Sequence, residues 1–295
     1  PVVGQIWYNT TSNTLKGLEF GAAAWSTGGA LTTARISLGG AGTQTASLAF
    51  GGSETPNATE EYNGTSWTNG GNLTDGRLRI TGCGTQTAGL GMGGAPIPSN
   101  SNKTEEYDGS SWTNGGNLIK GKDSTNGAAG TQTAGLFFGG DPVSTPSTEE
   151  YNGSSWTAGG NLANNREQVS GAGTQTAGLA IGGGTQTEEY NGTSWTNGGA
   201  LPVSRSNLAG FGLQTAALAA GGGTPSTTYS NVTQQYDGSS WTNTSSMSVA
   251  RISLAGDGTT TAGIIFGGTA PDGNETTATE EFTGAGPVTV TLSGS

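Results

Sequence analysis

A fixed set of spacings, repeated six times, constrains the fold of this chain more than any other feature. Each of six tryptophans is followed ten residues later by a cation. The tryptophan and cation pairs are Trp25 and Arg35, Trp67 and Arg77, Trp112 and Lys122, Trp156 and Arg166, Trp195 and Arg205, and Trp241 and Arg251. A period of roughly 40 to 45 residues, with about four short strands per period, is typical of a propeller blade.

Other positions of the repeat keep equally constant distances. The turn GTQTA, or a variant of it, lies seven residues before the first glycine of a Gly-Gly pair, counted from its central residue. These central residues are Gln44, Gln86, Gln132, Gln175, Gln214 and the variant Thr260. In five repeats a tyrosine precedes the next tryptophan by five residues. Only the connection from the glycine pair to the aromatic residue varies, from 8 to 15 residues.

The segment from Gly173 to Arg205 shows how one repeat divides into strands. The stretches GLAIGG, TEEYN and SWTN read as three strands, and the segment after each cation reads as the fourth. Asn-Gly or Asp-Gly between the tyrosine and the tryptophan supplies residues that tolerate a positive φ in a tight hairpin. The pattern therefore predicts four antiparallel strands in each blade.

These residues carry a resemblance to a known motif. A cation that opens an inner strand, an apolar strand that ends in Gly-Gly, a Glu-x-Tyr strand and a tryptophan five residues later resemble the kelch repeat, over about nine-tenths of the chain. The resemblance implies an all-β, six-bladed kelch-like propeller. It leaves function open, because kelch-type propellers include enzymes, adaptors and adhesins.

The two ends of the chain depart from the repeat. The phrases GQIWYN and TLKGLEF predict an N-terminal hairpin in residues 1–20, followed by the propeller in residues 21–286. The strand around Trp25 is predicted to complete the last repeat, at Phe282, and so to close a ring of six blades. Residues 287–295 read as one further strand, which either pairs with the hairpin or builds part of a seventh blade. Seven blades is therefore the alternative.

The phrase GQIWYNTT…LK at the N-terminus resembles a segment of bacteriophage tail-fibre and other virion structural proteins. The resemblance implies a structural or adhesive role, with other virion proteins as partners. Fibre proteins are commonly trimers, so it also leaves room for a homo-oligomer. The chain begins at Pro1 without a methionine, and we expect it to be a piece of something longer.

Charge and cysteine content exclude several classes of partner. A net charge of −11 with only 10 cations argues against nucleic acid and against an anionic membrane surface, since both require a dense basic footprint. No apolar run approaches the length of a membrane span. The single cysteine, Cys83, rules out an internal disulfide framework and is interpreted as a small packing residue.

Catalytic chemistry has few candidates, because the chain contains no histidine. Ten of its 14 glutamates form Glu-Glu pairs in register, the first being Glu60 and Glu61, whereas a catalytic pair would occur once. Neighbouring side chains of a strand face opposite ways, so such a pair cannot share a proton. We expect one glutamate of each pair to bind the repeat cation, such as Arg35, at the blade interface. The prediction is a protein without enzymatic activity, cofactor or metal.

Three residues break the pattern in ways that invite a ligand interpretation. Phe211 and Asp257 replace small residues of the inner strands and are expected to protrude toward the central channel. Asp272, in the loop PDGNE, offers clustered oxygens of the kind that calcium binds, although a solvated turn is the favoured interpretation.

Loops of variable length are the better indication of a binding face. They span residues 53–59, 95–104, 141–148, 184–187, 223–233 and 269–279, and are predicted to share the face opposite the invariant hairpins. Their candidate contact residues are Glu54, Asn57, Ile97, Asn100, Val143, Thr145, Gln186, Tyr229, Asn231, Asp272 and Asn274. Recognition usually resides in loops on a rigid scaffold, and polar loops of this kind suit a glycan.

The sequence therefore predicts a virion or extracellular protein, a phage tail fibre, spike or capsid decoration, that contacts a host surface or a glycan. The alternative is a secreted or cell-surface bacterial propeller that binds carbohydrate or protein.

Overall fold

The computed structural model describes residues 4–95, 101–122, 127–140, 146–225 and 228–292. This part of the chain contains 27 β-strands and no helix. The strands are β1 (Ile6–Asn9), β2 (Thr14–Gly21), β3 (Ala24–Thr27), β4 (Gly39–Thr43), β5 (Ala46–Phe50), β6 (Thr59–Tyr62), β7 (Trp67–Asn69), β8 (Thr81–Thr85), β9 (Ala88–Met92), β10 (Thr104–Tyr107), β11 (Trp112–Asn114), β12 (Gly127–Thr131), β13 (Ala134–Phe138), β14 (Thr148–Tyr151), β15 (Trp156–Ala158), β16 (Val169–Thr174), β17 (Ala177–Gly182), β18 (Thr187–Tyr190), β19 (Trp195–Asn197), β20 (Ala209–Leu213), β21 (Ala216–Ala220), β22 (Thr233–Tyr236), β23 (Trp241–Asn243), β24 (Ala255–Gly258), β25 (Ala262–Phe266), β26 (Thr279–Thr283) and β27 (Gly286–Leu292).

The strands of the described residues form seven antiparallel sheets. Six sheets have four strands, in the orders β4-β5-β6-β7, β8-β9-β10-β11, β12-β13-β14-β15, β16-β17-β18-β19, β20-β21-β22-β23 and β24-β25-β26-β3. The seventh sheet has three strands, in the order β1-β2-β27. The fold is thus β-propeller-like, as predicted, with repeated four-stranded sheets. One sheet is present beyond the six that the repeats predict, and the two ends of the chain build it.

Local turn chemistry explains why each repeat folds into a sheet. In the first repeat, Gly42 has a φ of +137°, and a Cβ on it would lie 2.2 Å from the carbonyl oxygen of Ala46, so only glycine fits before the turn. At the next hairpin, the Asn63 side chain accepts hydrogen bonds from the N–H groups of Thr65 and Ser66. An asparagine that closes its own turn in this way fixes the register of the Tyr62 and Trp67 strands.

Adjacent sheets pack face to face through alternating apolar side chains. One core cluster combines Tyr62 and Trp67 of the β4–β7 sheet with Ile264 and Phe266 of β25. The Trp67 and Phe266 rings lie with their centroids 4.8 Å apart, at an edge-on angle of 62°. Burial of such large side chains is the dominant stabilising contribution between sheets.

Hydrogen bonds of three kinds connect neighbouring four-stranded sheets at five of the six boundaries within the described residues. Trp112 donates its indole N–H to Thr59, at 2.9 Å. Gln86 donates to the carbonyl oxygens of Ser47 and Tyr62, at 3.0 and 2.6 Å. The hydroxyl of Tyr151 donates to Glu106, at 2.6 Å. Most residues that recur in the repeat therefore form bonds between neighbouring sheets.

The N-terminal strand completes the last repeat, as the sequence predicts. Strand β3 pairs with β26, and Trp25 lies opposite Phe282. The innermost strands contact one another in the order β4, β8, β12, β16, β20 and β24, and β24 contacts β4 again. The C-terminal strand β27 pairs with β2 of the N-terminal hairpin, which is one of the two arrangements that the sequence left open.

Phe211 and Asp257 line the central cavity, as expected, but their side chains do not project freely into it. Both side chains are buried, with 5% and 8% of their surface exposed. Phe211 packs so closely on the next sheet that a Cβ on Gly263 would lie 2.5 Å from its ring. Asp257 bonds to Ser47 of the first repeat. Glycines in the facing strands leave space between the sheets, and the side chains of Phe211 and Asp257 fill it.

Candidate binding face

Five repeat arginines each hold both ends of a variable loop, and this fixes the geometry of the face on which these loops lie, here called the loop face. Arg35 is fully buried, and its Nη1 donates to the carbonyl oxygens of Gly51 and Ala58, at 3.2 and 2.9 Å. Gly51 lies just beyond β5 and Ala58 just before β6, so one guanidinium joins the two ends of the loop between those strands.

The same clamp recurs at other loops of different length. The corresponding bonds run from Arg77 to Gly93 and Lys103, from Arg166 to Gly182 and Gln186, from Arg205 to Gly221 and Val232, and from Arg251 to Gly267 and Ala278. Because each base is fixed by a buried side chain, loop length can change without displacing the strands. The sequence predicted the cation but not this role.

The first glutamate of a pair binds the repeat cation, which confirms the pairing hypothesis. Arg35 and Glu60 form an ion pair of 2.6 Å, and both side chains are buried. Equivalent ion pairs join Arg77 to Glu105, Arg166 to Glu188 and Arg251 to Glu280, at 2.8, 2.9 and 2.7 Å. The other oxygen of Glu60 accepts the backbone N–H of Thr32, so this carboxylate is fully engaged. Such pairing offsets part of the free energy needed to bury both charges.

The third repeat replaces arginine with Lys122. Its Nζ donates to the carbonyl oxygen of Ser147, at 3.0 Å, and lies 4.9 Å from the centroid of the Phe137 ring. Burial lowers the pKa of Lys122 to about 8, against a smaller opposing effect of Glu149.

The second glutamate of a pair binds a tyrosine of the next sheet. Tyr62, Tyr107, Tyr151, Tyr190 and Tyr236 donate their hydroxyl groups to Glu281, Glu61, Glu106, Glu150 and Glu189, respectively. Burial, together with the glutamate bond, raises the pKa of each tyrosine to about 12. Both glutamates of each pair therefore have structural partners.

The predicted contact residues occupy the loop face as follows. Glu54, Asn57, Gln186, Asn231, Asp272 and Asn274 are exposed, and Tyr229 is half-buried. Ile97, Asn100, Val143 and Thr145 lie outside the described residues. The backbone of Asn57 accepts a bond from Leu73, in the segment that leads to the next sheet. The loops and these connecting segments thus share one face.

The loop PDGNE forms a compact turn. Asn274 donates to Asp272 through both its backbone N–H and its side-chain amide, at 3.0 and 2.9 Å. The side-chain bond lowers the pKa of Asp272. Glu275 instead accepts a bond of 2.7 Å from Ser53 of the first repeat. Within the described residues, no group of three or more histidine, cysteine or acidic side chains is placed to hold a metal ion.

The centre of the molecule is narrow and lined by small residues. Two cavities of about 80 and 190 Å³ are lined by the innermost strands of all six four-stranded sheets, mostly through glycine and alanine. Cys83 is buried there in a core cluster with Leu90 and Met92, which confirms the packing interpretation. Burial raises the pKa of its thiol to about 12. Burial also raises the pKa of Asp257 to about 7, against the lowering effect of its bond to Ser47.

Comparison with known proteins shows the fold alone. No protein-family model matches the chain, and no curated protein matches it. The solved structure of YjhT is similar in fold, with a TM-score of 0.74 over 89% of this chain and 100% of that chain. The two sequences are 13% identical, so the similarity carries no information about function. No helix in the described part of the chain is long and apolar enough to span a membrane.

Proposed function

We propose that the chain is a non-enzymatic structural and adhesive domain of a virion, such as a phage tail fibre, spike or capsid decoration. Its variable loops contact a host surface or a glycan. The observation that carries this proposal is the clamped loop face, on which polar loops of different length stand on bases fixed by buried cations such as Arg77 and Arg251. A rigid scaffold that tolerates loop variation suits recognition of a variable surface.

In this proposal the six four-stranded sheets are the blades of a closed, kelch-like ring. The circular order of contacts between innermost strands and the pairing of β3 with β26 support it. The three-stranded sheet lies outside the ring and joins the two ends of the chain. The proposal divides the chain into an N-terminal hairpin (residues 1–20), the propeller (21–286) and a C-terminal strand (287–295). It also places the protein on a virion or outside the cell, with other virion proteins as partners.

The contacts of the paired glutamates support the proposed absence of enzymatic activity. The paired glutamates are bound to cations or to tyrosines, as shown by Glu105 with Arg77 and by Glu106 with Tyr151. The sequence has no histidine, and the paired glutamates are not free to act as general acids or bases.

Binding to cells of the source's host, or to an array of glycans, tests the proposal. We expect the wild-type chain to bind and the double variant Gln186→Ala/Asn231→Ala to bind more weakly, because both exposed side chains lie on the loop face. The double variant Thr65→Ala/Thr193→Ala is the matched control, since these exposed residues lie in the hairpins of the opposite face. Equal loss in both double variants, or no binding by the wild type, would contradict the proposal.

A further inference from the structure

Arg205, the cation of the fifth repeat, is buried without a carboxylate. Only 2% of its surface is exposed, and its Nη2 donates to the amide oxygen of Gln234, at 2.5 Å. In the first repeat the same position is Glu60, which forms an ion pair with Arg35. Among the described residues, no ion pair joins Arg205 to an acidic side chain. Burial lowers the pKa of Arg205 to about 10, so the side chain remains charged at neutral pH.

The fifth repeat also lacks the backbone N–H group that binds this carboxylate in the other repeats. In the other repeats, the second oxygen of the first glutamate accepts a backbone N–H, from Thr32, Thr74, Ile119, Ala163 or Ser248. The equivalent residue of the fifth repeat is Pro202, which has no N–H. The amide nitrogen of Gln234 donates instead to Asn243, at 3.0 Å.

A pocket of about 290 Å³ lies at this position on the loop face. Its lining includes Pro202, Val203, Arg205, Ser230, Gln234 and Asn243. Proline and valine side chains supply apolar walls, and two side-chain amides supply hydrogen-bond donors. The Arg205 guanidinium supplies positive charge, since its Nη groups already donate to Ala219, Gly221, Val232 and Gln234. Tyr229 and Asn231, two of the predicted contact residues, flank Ser230 in the chain.

We propose that this pocket binds a small organic monocarboxylate, of the size of a uronic acid. An unpaired buried charge is strongly destabilising, and a ligand carboxylate supplies the negative charge that Gln234 lacks. The amide N–H groups of Gln234 and Asn243 can donate to the carboxylate oxygens, since each amide has two N–H groups. A volume of about 300 Å³ is the lower end of the range for ligand pockets, which suits a single sugar ring.

This site does not depend on a virion role. A free uronic acid and an acidic terminal sugar of a surface glycan share the same carboxylate chemistry. If the proposed function holds, the site assigns acidic sugars to its glycan contact. If the chain proves to be unrelated to virions, the pocket and its test stand unchanged.

Calorimetric titration of the whole chain with sodium glucuronate, and with glucose as the neutral match, tests the inference. We expect glucuronate to bind and glucose to show no measurable binding. Gln234→Glu restores the carboxylate beside Arg205 and should weaken glucuronate binding by about tenfold or more, as expected for loss of one charge-assisted interaction. Gln235→Glu adds the same charge one residue away, on the other side of the strand, and should leave binding within about twofold.

A second variant keeps the test decisive if Gln234→Glu does not fold. Val203 is 50% exposed at the pocket, and Val203→Trp should block the pocket without disturbing the core. Val249, the equivalent residue of the next repeat, is 44% exposed and provides the matched control Val249→Trp. Failure of glucuronate to bind at millimolar concentration, binding of glucose with equal affinity, or equal losses in each variant and its control would overturn the inference.

Discussion

Tyr62 donates a hydrogen bond of 2.5 Å to Glu281, a residue 219 positions further along the chain. The bond joins the β4–β7 sheet to the last four-stranded sheet, where the N-terminal strand β3 also pairs. It thus connects the first full repeat to the last by the same contact that connects consecutive repeats, such as Tyr107 to Glu61. The boundary between the first and last repeats therefore has the same tyrosine–glutamate bond as four of the five other boundaries.

The boundary between the fifth and sixth repeats differs from the rest. Phe282 has no hydroxyl to donate, and Gln235 replaces the glutamate that would accept. Thr260 replaces the turn glutamine, so the pair of bonds to backbone carbonyls is missing as well. Trp25 still donates to Thr233, at 3.1 Å. This boundary therefore keeps the tryptophan bond and lacks the other two kinds.

Replacing Tyr107 with phenylalanine should destabilise the fold by about 1–2 kcal/mol, because Glu61 loses a donor and the N–H of Gly71 loses an acceptor. Urea denaturation of the variant measures the change in the free energy of unfolding. The double variant Tyr107→Phe/Glu61→Gln reproduces the natural pair at the exceptional boundary, and we expect it to recover part of the loss. A single variant as stable as the wild type would refute this role.

Truncating Glu105 to alanine should cost about 3–5 kcal/mol, because it leaves the buried guanidinium of Arg77 without its counter-charge. Thermal and chemical denaturation give the magnitude. Glu167→Ala, at an exposed position, serves as the control and should change stability by less than about 0.5 kcal/mol. Equal effects in the two variants would mean that the ion pair contributes nothing specific.

Stability should fall as the pH rises from about 4 to about 7, through the titration of Asp257. Burial raises the pKa of this carboxyl from 3.8 to about 7 in the folded protein. Between those values the unfolded chain releases a proton that the folded protein keeps, so the stabilising effect is complete below pH 3.8 and is lost above about pH 7. Denaturation midpoints across this range should vary less in Asp257→Asn. An identical pH dependence in the variant would exclude Asp257 as the source.

Introducing glutamine at Thr260 should stabilise the protein by about 1 kcal/mol. The turn glutamine of the fourth repeat, Gln175, donates to the carbonyl oxygens of Gly135 and Tyr151 in the preceding sheet. The substitution offers the same two bonds to the exceptional boundary. Gln175→Thr is the reciprocal variant and should lose a similar amount. A decrease in melting temperature for Thr260→Gln would show that this boundary has a different geometry.

Much of the fold can be predicted from the sequence, because most residues that recur at fixed spacings make contacts between neighbouring sheets. The fixed distance from Trp25 to Arg35 predicted the strand that completes the last sheet, and the Glu-Glu pairs predicted the ion pair of Glu60. The three-stranded sheet was harder to place, because the pairing of β27 with β2 joins sequences that lack the repeat.

The sites were harder to predict, because they depend on which side chain lies across a sheet boundary. Phe211 lines the central cavity, as expected, but its packing against glycines of the facing sheet could not be read from the sequence. The pocket beside Arg205 had a signal in the sequence, the joint loss of Glu at position 234 and of a backbone donor at Pro202. This signal can be interpreted only once the structure shows that the backbone N–H of Thr32 binds Glu60, the equivalent of Gln234.

Mass spectrometry and cryo-electron microscopy of particles purified from the source test the proposed function most directly. We predict that the chain is present at a fixed, integer number of copies per virion, with the loops around Gln186 and Asn231 facing outward. Absence from purified particles, with the chain found free or on a cell envelope, would contradict the virion role and favour the cell-surface alternative.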